Sequence, residues 1–187
     1  MKKVLLVHGF TGDGNGVWFP WLKRELENRG YEVFNPNLPD SRRPDLDAWL
    51  SAIGPFMEKL GSDDIIVAHS LGGKLALHAV LKYRKKIRKL ILIAPAIGRR
   101  SESEWERRHQ EWPGEEIRVL RRFYDAHIPL EHVAQFVETT AIFSDNDPYV
   151  PAPPREYFPN EWGYEVWYDL GHFLDSRIPG ILHKAVN

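Results

Sequence analysis

The sequence contains no cysteine in its 187 residues. This absence excludes disulfide bonds, thiolate metal ligands and a cysteine nucleophile, and it is typical of a protein from a reducing compartment. No apolar run approaches the roughly 18 residues that a membrane-spanning helix needs. The apolar run at residues 4–7 is too short for the hydrophobic region of a signal peptide. We therefore expect a cytoplasmic protein.

The chain also lacks a strong excess of charge of either sign, since its formal net charge is −1. This balance argues against a nucleic acid or an anionic membrane as a partner. The basic run at residues 82–89 is interpreted as the solvated end of a helix, where cations suit the helix dipole. The length and the mixture of apolar and charged residues are those of one globular domain with a sizeable core.

Apolar segments with the pattern of buried strands alternate with segments of helical periodicity. The six predicted strands are residues 4–7, 31–34, 65–67, 90–94, 140–144 and 164–168. The predicted helices are residues 17–28, 45–60, 71–83 and 178–186, with one or two more within residues 99–122. Such alternation predicts an α/β fold in which helices cover both faces of a parallel sheet. We expect a single domain at residues 1–187, with a small helical insertion around residues 99–127.

The turn after the third predicted strand carries the strongest chemical signal. Ser70 lies at its centre, with the small residues Ala68 and Gly72 two positions to either side. A strand, a tight turn with a central serine and a helix together form the nucleophile elbow of G-x-S-x-G sequences. Ala68 departs from the glycine of that pattern by only a methyl group. We interpret Ser70 as a nucleophile, and the alternative is a small residue in an ordinary turn.

Further reactive side chains follow the later strands. His172 comes after the sixth predicted strand, and both Asp145 and Asp147 follow the fifth. Ligand sites gather beyond the carboxyl ends of parallel strands, and the order serine, aspartate, histidine is that of α/β-hydrolases. The histidine would take the proton of the serine hydroxyl, and the aspartate would orient the histidine. From the residues alone, Asp145 competes with Asp147, which is also a turn former before Pro148.

An acyl-transfer reaction also needs backbone N–H donors for its oxyanion. We predict these donors at Leu71, directly after the serine, and at Phe10, in the loop after the first strand. Two nearby histidines are interpreted as structural: His8 shapes the first loop, and His69 points away from the serine into the packing around the elbow. The histidines and carboxylates show no spacing typical of zinc ligands, so we predict no metal site.

With these motifs in place, the chain resembles the compact α/β-hydrolases typified by retinoblastoma-binding protein nine and the bacterial YdeN proteins. The resemblance covers essentially the whole chain. Its strongest points are residues 7–10, 18–22, 68–73, 144–151 and 171–173. It implies a six-stranded parallel sheet and a Ser-His-Asp hydrolase that uses no cofactor. In such sequences the acid is the aspartate three residues after the serine that ends the strand, which selects Asp147.

The residues beside these motifs indicate the kind of substrate. Four residues flank the predicted site, namely Thr11, Trp18, Tyr149 and Phe173. Two more aromatic residues lie in the predicted insertion, Trp105 and Trp112. Small-ligand pockets are largely apolar and aromatic, so we expect an ester or amide with a modest apolar acyl or aromatic group. The alternative place for the aromatic residues is the hydrophobic core.

Two other functions stay open at this point. One is a non-catalytic binding protein of the same fold, and the other is acyl transfer to a nucleophile other than water. The human relative is named for binding the retinoblastoma protein through an L-x-C-x-E motif. That motif cannot be present in a chain without cysteine, so the resemblance supplies no protein partner.

Overall fold

The computed structural model describes residues 1–98, 100–111 and 114–187. Its strands are β1 (Lys3–Val7), β2 (Glu32–Phe34), β3 (Ile65–His69), β4 (Ile87–Ile93), β5 (Val137–Ser144) and β6 (Gly163–Trp167). Its α-helices are α1 (Phe19–Glu27), α2 (Leu46–Lys59), α3 (Leu71–Tyr83), α4 (Glu102–Glu111), α5 (Glu115–Asp125) and α6 (Pro179–Val186). Two short 3₁₀ helices lie at Leu130–Gln135 and Arg155–Tyr157.

The six strands form one parallel sheet in the order β2-β1-β3-β4-β5-β6. This confirms the predicted fold class. The order runs one way from β1 to β2 and the other way from β3 to β6, so it reverses between β1 and β3. In open α/β sheets the crevice for a ligand lies at such a reversal, beyond the carboxyl ends of the strands.

Helices cover both faces of the sheet because its central strands are apolar on both sides. On β1, Leu5 and Val7 belong to the core under α2 and α3, whereas Val4 and Leu6 belong to the core under α1 and α6. The helices α4 and α5 lie between β4 and β5 in the chain and add Trp105 to the first of these cores. Each face of the sheet therefore has its own hydrophobic core.

The predicted boundaries need correction at β4 and β5. Each begins three residues before its predicted start, and the first residues of the two strands, Ile87 and Val137, pair with each other. Only part of the basic run at residues 82–89 therefore belongs to the end of a helix, and its last residues lie in β4. The helix α3 stops at Tyr83, and Arg84 ends it in the left-handed conformation. The consecutive polar residues Arg88 and Lys89 hid the true start of β4 from the sequence pattern.

The predicted insertion corresponds in part to α4 and α5. Arg99, its first predicted residue, lies outside the described residues, and so does Trp112. None of the helices in the described part of the chain is long and apolar enough to cross a bilayer.

The start of α3 lies unusually close to the end of β1. A Cβ atom on Gly72 would lie 2.3 Å from the carbonyl oxygen of His8 and 2.6 Å from that of Val7. Both atoms belong to the backbone, so a side chain at position 72 could fit only if β1 and α3 moved apart. Glycine at this position thus keeps the helix against the strand.

We predict that Gly72→Ala lowers the free energy of unfolding by about 3 kcal/mol or more, because overpacking here displaces backbone. Denaturant unfolding measures the change. Gly61→Ala is the matched control, since a Cβ atom there would lie 3.9 Å from its nearest neighbour, an ordinary contact. The control variant should stay within about 1 kcal/mol of the wild type. Equal stability of the two variants would contradict this account of the packing.

Candidate active site

Ser70 occupies the turn between β3 and α3 in a strained backbone conformation. Its φ of 55° and ψ of −124° lie in a region that residues with a side chain rarely adopt. Three backbone hydrogen bonds hold the turn in place. The Ser70 N–H donates to Ile93, and the Ser70 carbonyl accepts from Gly73 and Ala96. The predicted elbow is therefore present, with its serine over the carboxyl end of the sheet.

The loop after β1 packs directly against this turn. A Cβ atom on Gly9 would lie 2.9 Å from the Cβ of Ser70 and 3.1 Å from the nitrogen of Leu71. Leu71 is the first residue of α3, where a backbone N–H has no partner within the helix. Phe10 directly follows Gly9. The two predicted oxyanion donors thus belong to segments that lie against each other at the serine.

Ser70, His172 and Asp147 form a continuous hydrogen-bonded chain. His172 Nε2 lies 3.0 Å from Ser70 Oγ, and His172 Nδ1 lies 2.7 Å from Asp147 Oδ2. Because a carboxylate only accepts, Nδ1 carries the proton and Nε2 is left to accept from the serine hydroxyl. The Asp147 side chain is fully buried, and 10% of the His172 side chain is exposed. This geometry can activate a serine for nucleophilic attack.

The structure brings Asp147, and not Asp145, to the histidine. The other oxygen of Asp147, Oδ1, accepts from the backbone N–H of Tyr149 at 2.8 Å and of Val150 at 2.9 Å. Three donors therefore fix this carboxylate. Asp145 is exposed and accepts from the backbone N–H of Asp169.

Two further polar side chains tie the loop that carries Asp147 to the loop that carries His172. Asn146 Oδ1 accepts from the Ser144 hydroxyl at 2.9 Å and from the backbone N–H of Gly171 at 2.8 Å. The Ser144 hydroxyl accepts in turn from the backbone N–H of Leu170. This role was not predicted, although a polar cluster directly after an apolar strand was the available signal.

His69 and Trp18 hold the backbone of the histidine loop from the core. His69 Nε2 lies 2.9 Å from the carbonyl oxygen of His172, and the indole N–H of Trp18 donates to the carbonyl of Phe173 at 3.1 Å. Burial, and secondly the positive charge on a protonated His172, lower the pKa of His69 to about 3. His69 is therefore neutral at physiological pH and donates this bond through Nε2–H. Its ring packs against Trp18 and Phe19, in line with the predicted packing around the elbow. It also lines the cavity beside Ser70 and positions the neighbouring loop.

The placement of Trp18 and Phe173 corrects their predicted role in substrate binding. Both side chains are fully buried in the core under α1 and α6. They fill space behind the site, so neither reaches the cavity in front of Ser70. Trp18 and Phe173 are therefore residues of the hydrophobic core, which was the alternative to a role in substrate binding.

His8 shapes the loop after β1 without facing the serine. The backbone N–H of Leu38 donates to its Nε2 at 2.9 Å, so Nδ1 carries the proton and donates to the carbonyl of Gly9 at 2.9 Å. Burial lowers the pKa of His8, which favours this neutral form. Its structural interpretation agrees with these contacts.

A cavity of about 360 Å³ opens in front of Ser70 and His172. Its volume suits a small ligand. Thr11 and Tyr149 lie in its wall, as predicted, and the Tyr149 ring contacts the His172 ring edge-on at 5.3 Å between centroids. Lining residues that the sequence analysis did not select include Val17, Arg100, Arg108, Leu120, Tyr124 and Leu174.

No group of three or more histidine and carboxylate side chains in the described part of the chain is placed to hold a metal ion. The reactive groups at the carboxyl ends of β3, β5 and β6 are instead a serine, an aspartate and a histidine.

Six parallel strands in this order, a serine elbow after β3 and a histidine after β6 define an α/β-hydrolase fold. The family model for serine hydrolases matches residues 4–174, and the chain belongs to this family. The predicted resemblance is thereby confirmed.

Similar proteins include YdeN from Bacillus subtilis strain 168, which is named as a hydrolase. It is 33% identical over 95 residues, which cover 50% of each chain. The crystal structure of the ydeN gene product superimposes with a TM-score of 0.80 at 21% identity, covering 98% of this chain and 96% of that one. At that identity the superposition shows a shared fold.

A second relative is a pimeloyl-[acyl-carrier protein] methyl ester esterase from Shewanella woodyi. It is 31% identical over 124 residues, which cover 65% of this chain and 45% of that protein. These matches span about half the length of the two curated relatives. Both relatives carry the names of hydrolytic proteins.

The lowered pKa of His69 predicts a pH dependence of stability. Between pH 6.5 and 3 the unfolded chain binds a proton at His69 that the folded chain does not bind. The contribution of neutral His69 to the free energy of unfolding is therefore fully present above pH 6.5, and it is lost as the pH falls toward 3. Between pH 6.5 and 5, the wild type should lose about 1.6 kcal/mol more than His69→Gln.

Urea unfolding at the two pH values measures this difference. Burial also lowers the pKa of His8 and His78, so only the difference between variant and wild type reports on His69. His132→Gln, at an exposed position, is the control and should follow the wild type. A His69→Gln variant that loses as much stability as the wild type would refute the assignment.

Proposed function

We propose that this protein hydrolyses small ester or amide substrates through an acyl-enzyme intermediate. The observation that carries the proposal is the chain of hydrogen bonds from Ser70 Oγ through His172 to Asp147, with distances of 3.0 and 2.7 Å. A serine hydroxyl is a weak nucleophile at neutral pH and needs a base within hydrogen-bond reach. A binding protein has no need for this alignment of three groups from three strand ends.

In the first step, Ser70 Oγ attacks the carbonyl carbon while His172 Nε2 takes the hydroxyl proton. Asp147 holds Nδ1–H and stabilises the imidazolium that forms. The backbone N–H groups of Leu71 and Phe10 are the proposed donors to the oxyanion of the tetrahedral intermediate. His172 then gives its proton to the leaving alcohol or amine, and the acyl group stays on Ser70.

In the second step, water takes the place of the leaving group. His172 accepts a proton from the water as it attacks the acyl-enzyme, and the carboxylic acid product leaves Ser70. Another nucleophile in place of water would give acyl transfer by the same residues. Hydrolysis is the reaction that the family and the relatives support.

The cavity supports a small substrate with an apolar or aromatic part. Thr11 and Tyr149 are proposed to contact it, and Trp105 and Tyr124 supply further aromatic wall. The similarity to a methyl ester esterase favours esters over amides, which makes carboxylesterase activity the first form to test. That residues 1–187 act as one catalytic domain in the cytoplasm, without a cofactor, stays a prediction.

Removal of the nucleophile is the first test of the mechanism. Ser70→Ala should lower kcat by about 10⁶-fold on a short acyl ester, since no other group can form the acyl-enzyme. Initial rates with 4-nitrophenyl acetate and butyrate measure the loss. Ser62→Ala, at an exposed position away from the site, is the control and should keep wild-type rates. Substantial turnover by a folded Ser70→Ala variant would sink the mechanism.

The choice of acid gives a second test. Asp147→Asn should lower kcat by about 10⁴-fold, because an amide in this place favours the wrong histidine tautomer. Asp145→Asn makes the same change two residues away, outside the hydrogen-bonded chain, and should cost far less. The comparison uses the same esters. Equal losses in the two variants, or a larger loss in Asp145→Asn, would show that the acid is misassigned.

A further inference from the structure

Two arginine side chains stand in the wall of the cavity in front of Ser70. Arg100 lies two residues before the start of α4, and Arg108 lies within α4. Both donate through Nη2 to the same backbone carbonyl, that of Tyr149, at 2.5 and 2.6 Å. This shared acceptor brings the two guanidinium groups together on one side of the cavity.

Aromatic rings support both guanidinium groups. The guanidinium carbon of Arg100 lies 4.7 Å from the centroid of the Tyr124 ring, and that of Arg108 lies 6.0 Å from the Tyr149 ring. A cation over the face of an aromatic ring is attracted by the ring, which helps to hold the guanidinium in place. A planar fork of donors matches the two oxygens of a carboxylate.

The described residues of the cavity wall include few carboxylates. Its only carboxylate among the described lining residues is Asp13, which is exposed and accepts from the backbone N–H of Asn15. Arg100 makes no ion pair with a carboxylate in the described part of the chain. Glu104, whose pKa Arg100 helps to lower, turns its carboxylate to the N–H and hydroxyl of Ser101.

The arginines lie close enough to the triad to contact a bound substrate. The Tyr149 ring lies 5.3 Å from the His172 ring, and the Arg108 guanidinium lies 6.0 Å from that same Tyr149 ring. One aromatic side chain thus separates the cation from the base. A substrate with a few atoms between its scissile carbonyl and an anionic group can span this distance.

We propose that the cavity accepts esters that carry a free carboxylate a few atoms from the scissile carbonyl, and that Arg100 and Arg108 bind this carboxylate. This inference rests on the proposed hydrolase function and specifies its substrate class. The carboxylate belongs either to the acyl chain, as in a monoester of a dicarboxylic acid, or to the leaving alcohol. Both sources present the same group to the arginines.

Matched pairs of charged and neutral esters test the proposal. For the acyl arm, monomethyl esters of the four- to eight-carbon dicarboxylic acids are compared with methyl esters of the monocarboxylic acids of equal length. For the leaving-group arm, 4-acetoxybutanoate is compared with butyl acetate. Titration of the acid released gives kcat/KM for each ester. The measured quantity is the ratio of kcat/KM between charged and neutral members of a pair.

The wild type should prefer the charged ester by about 10- to 100-fold in one arm, as expected for a charge-assisted hydrogen bond. That arm identifies the source of the carboxylate. The ratio should fall toward one in Arg100→Gln and in Arg108→Gln, and it should fall with rising salt concentration. Arg108→Lys, which keeps a charge but loses the planar fork, should retain part of the preference.

Arg118→Gln is the control, since Arg118 is exposed on α5 and does not line the cavity. It should keep the wild-type ratio. A ratio near one in both arms for the wild type, or a preference that survives both glutamine variants, would overturn the proposal. If neutral esters are hydrolysed with dependence on Ser70 in that case, the proposed function stands without this substrate class. If no ester is hydrolysed, the proposed function itself fails.

Discussion

The close approach of the loop after β1 to the turn after β3 is the constraint on which the site depends. It forces Ser70 into a φ of 55° and leaves room only for hydrogen at Gly9 and Gly72. Strain of this kind persists only where the surroundings enforce it. The same approach lifts the serine hydroxyl over the sheet and places the Leu71 amide beside the loop that carries Phe10. A single packing contact therefore determines the positions of both the nucleophile and the proposed oxyanion donors.

The base is positioned by groups that are far apart in the chain. Asp147 fixes the ring of His172, whereas His69 and Trp18 bond the backbone carbonyls of His172 and Phe173. A ring held at one end and a backbone held at the other leave the imidazole little freedom to turn away from the serine. Such preorganisation means that the site need not rearrange as charge develops. Part of the hydrophobic core thus serves the chemistry directly.

Features encoded by short-range patterns were predictable, such as the apolar strand before Ser70, the small residues beside it and the order of serine, aspartate and histidine. The predictions of substrate-binding residues were wrong where the direction in which a side chain points decides its role. Trp18 and Phe173 lie beside site motifs in the chain but point into the core. Arg100 and Arg108 carry no local signal, because only the packing of α4 against the Tyr149 loop brings them to the cavity.

The most direct measurement of the central claim is labelling with a fluorophosphonate, followed by identification of the labelled peptide by mass spectrometry. Such a probe reacts with a serine only when its base and its oxyanion donors are assembled. The account predicts rapid labelling of the wild type at Ser70, no labelling of Ser70→Ala and greatly slowed labelling of His172→Ala. A folded wild type that stays unlabelled, or a label that persists in Ser70→Ala, would contradict it.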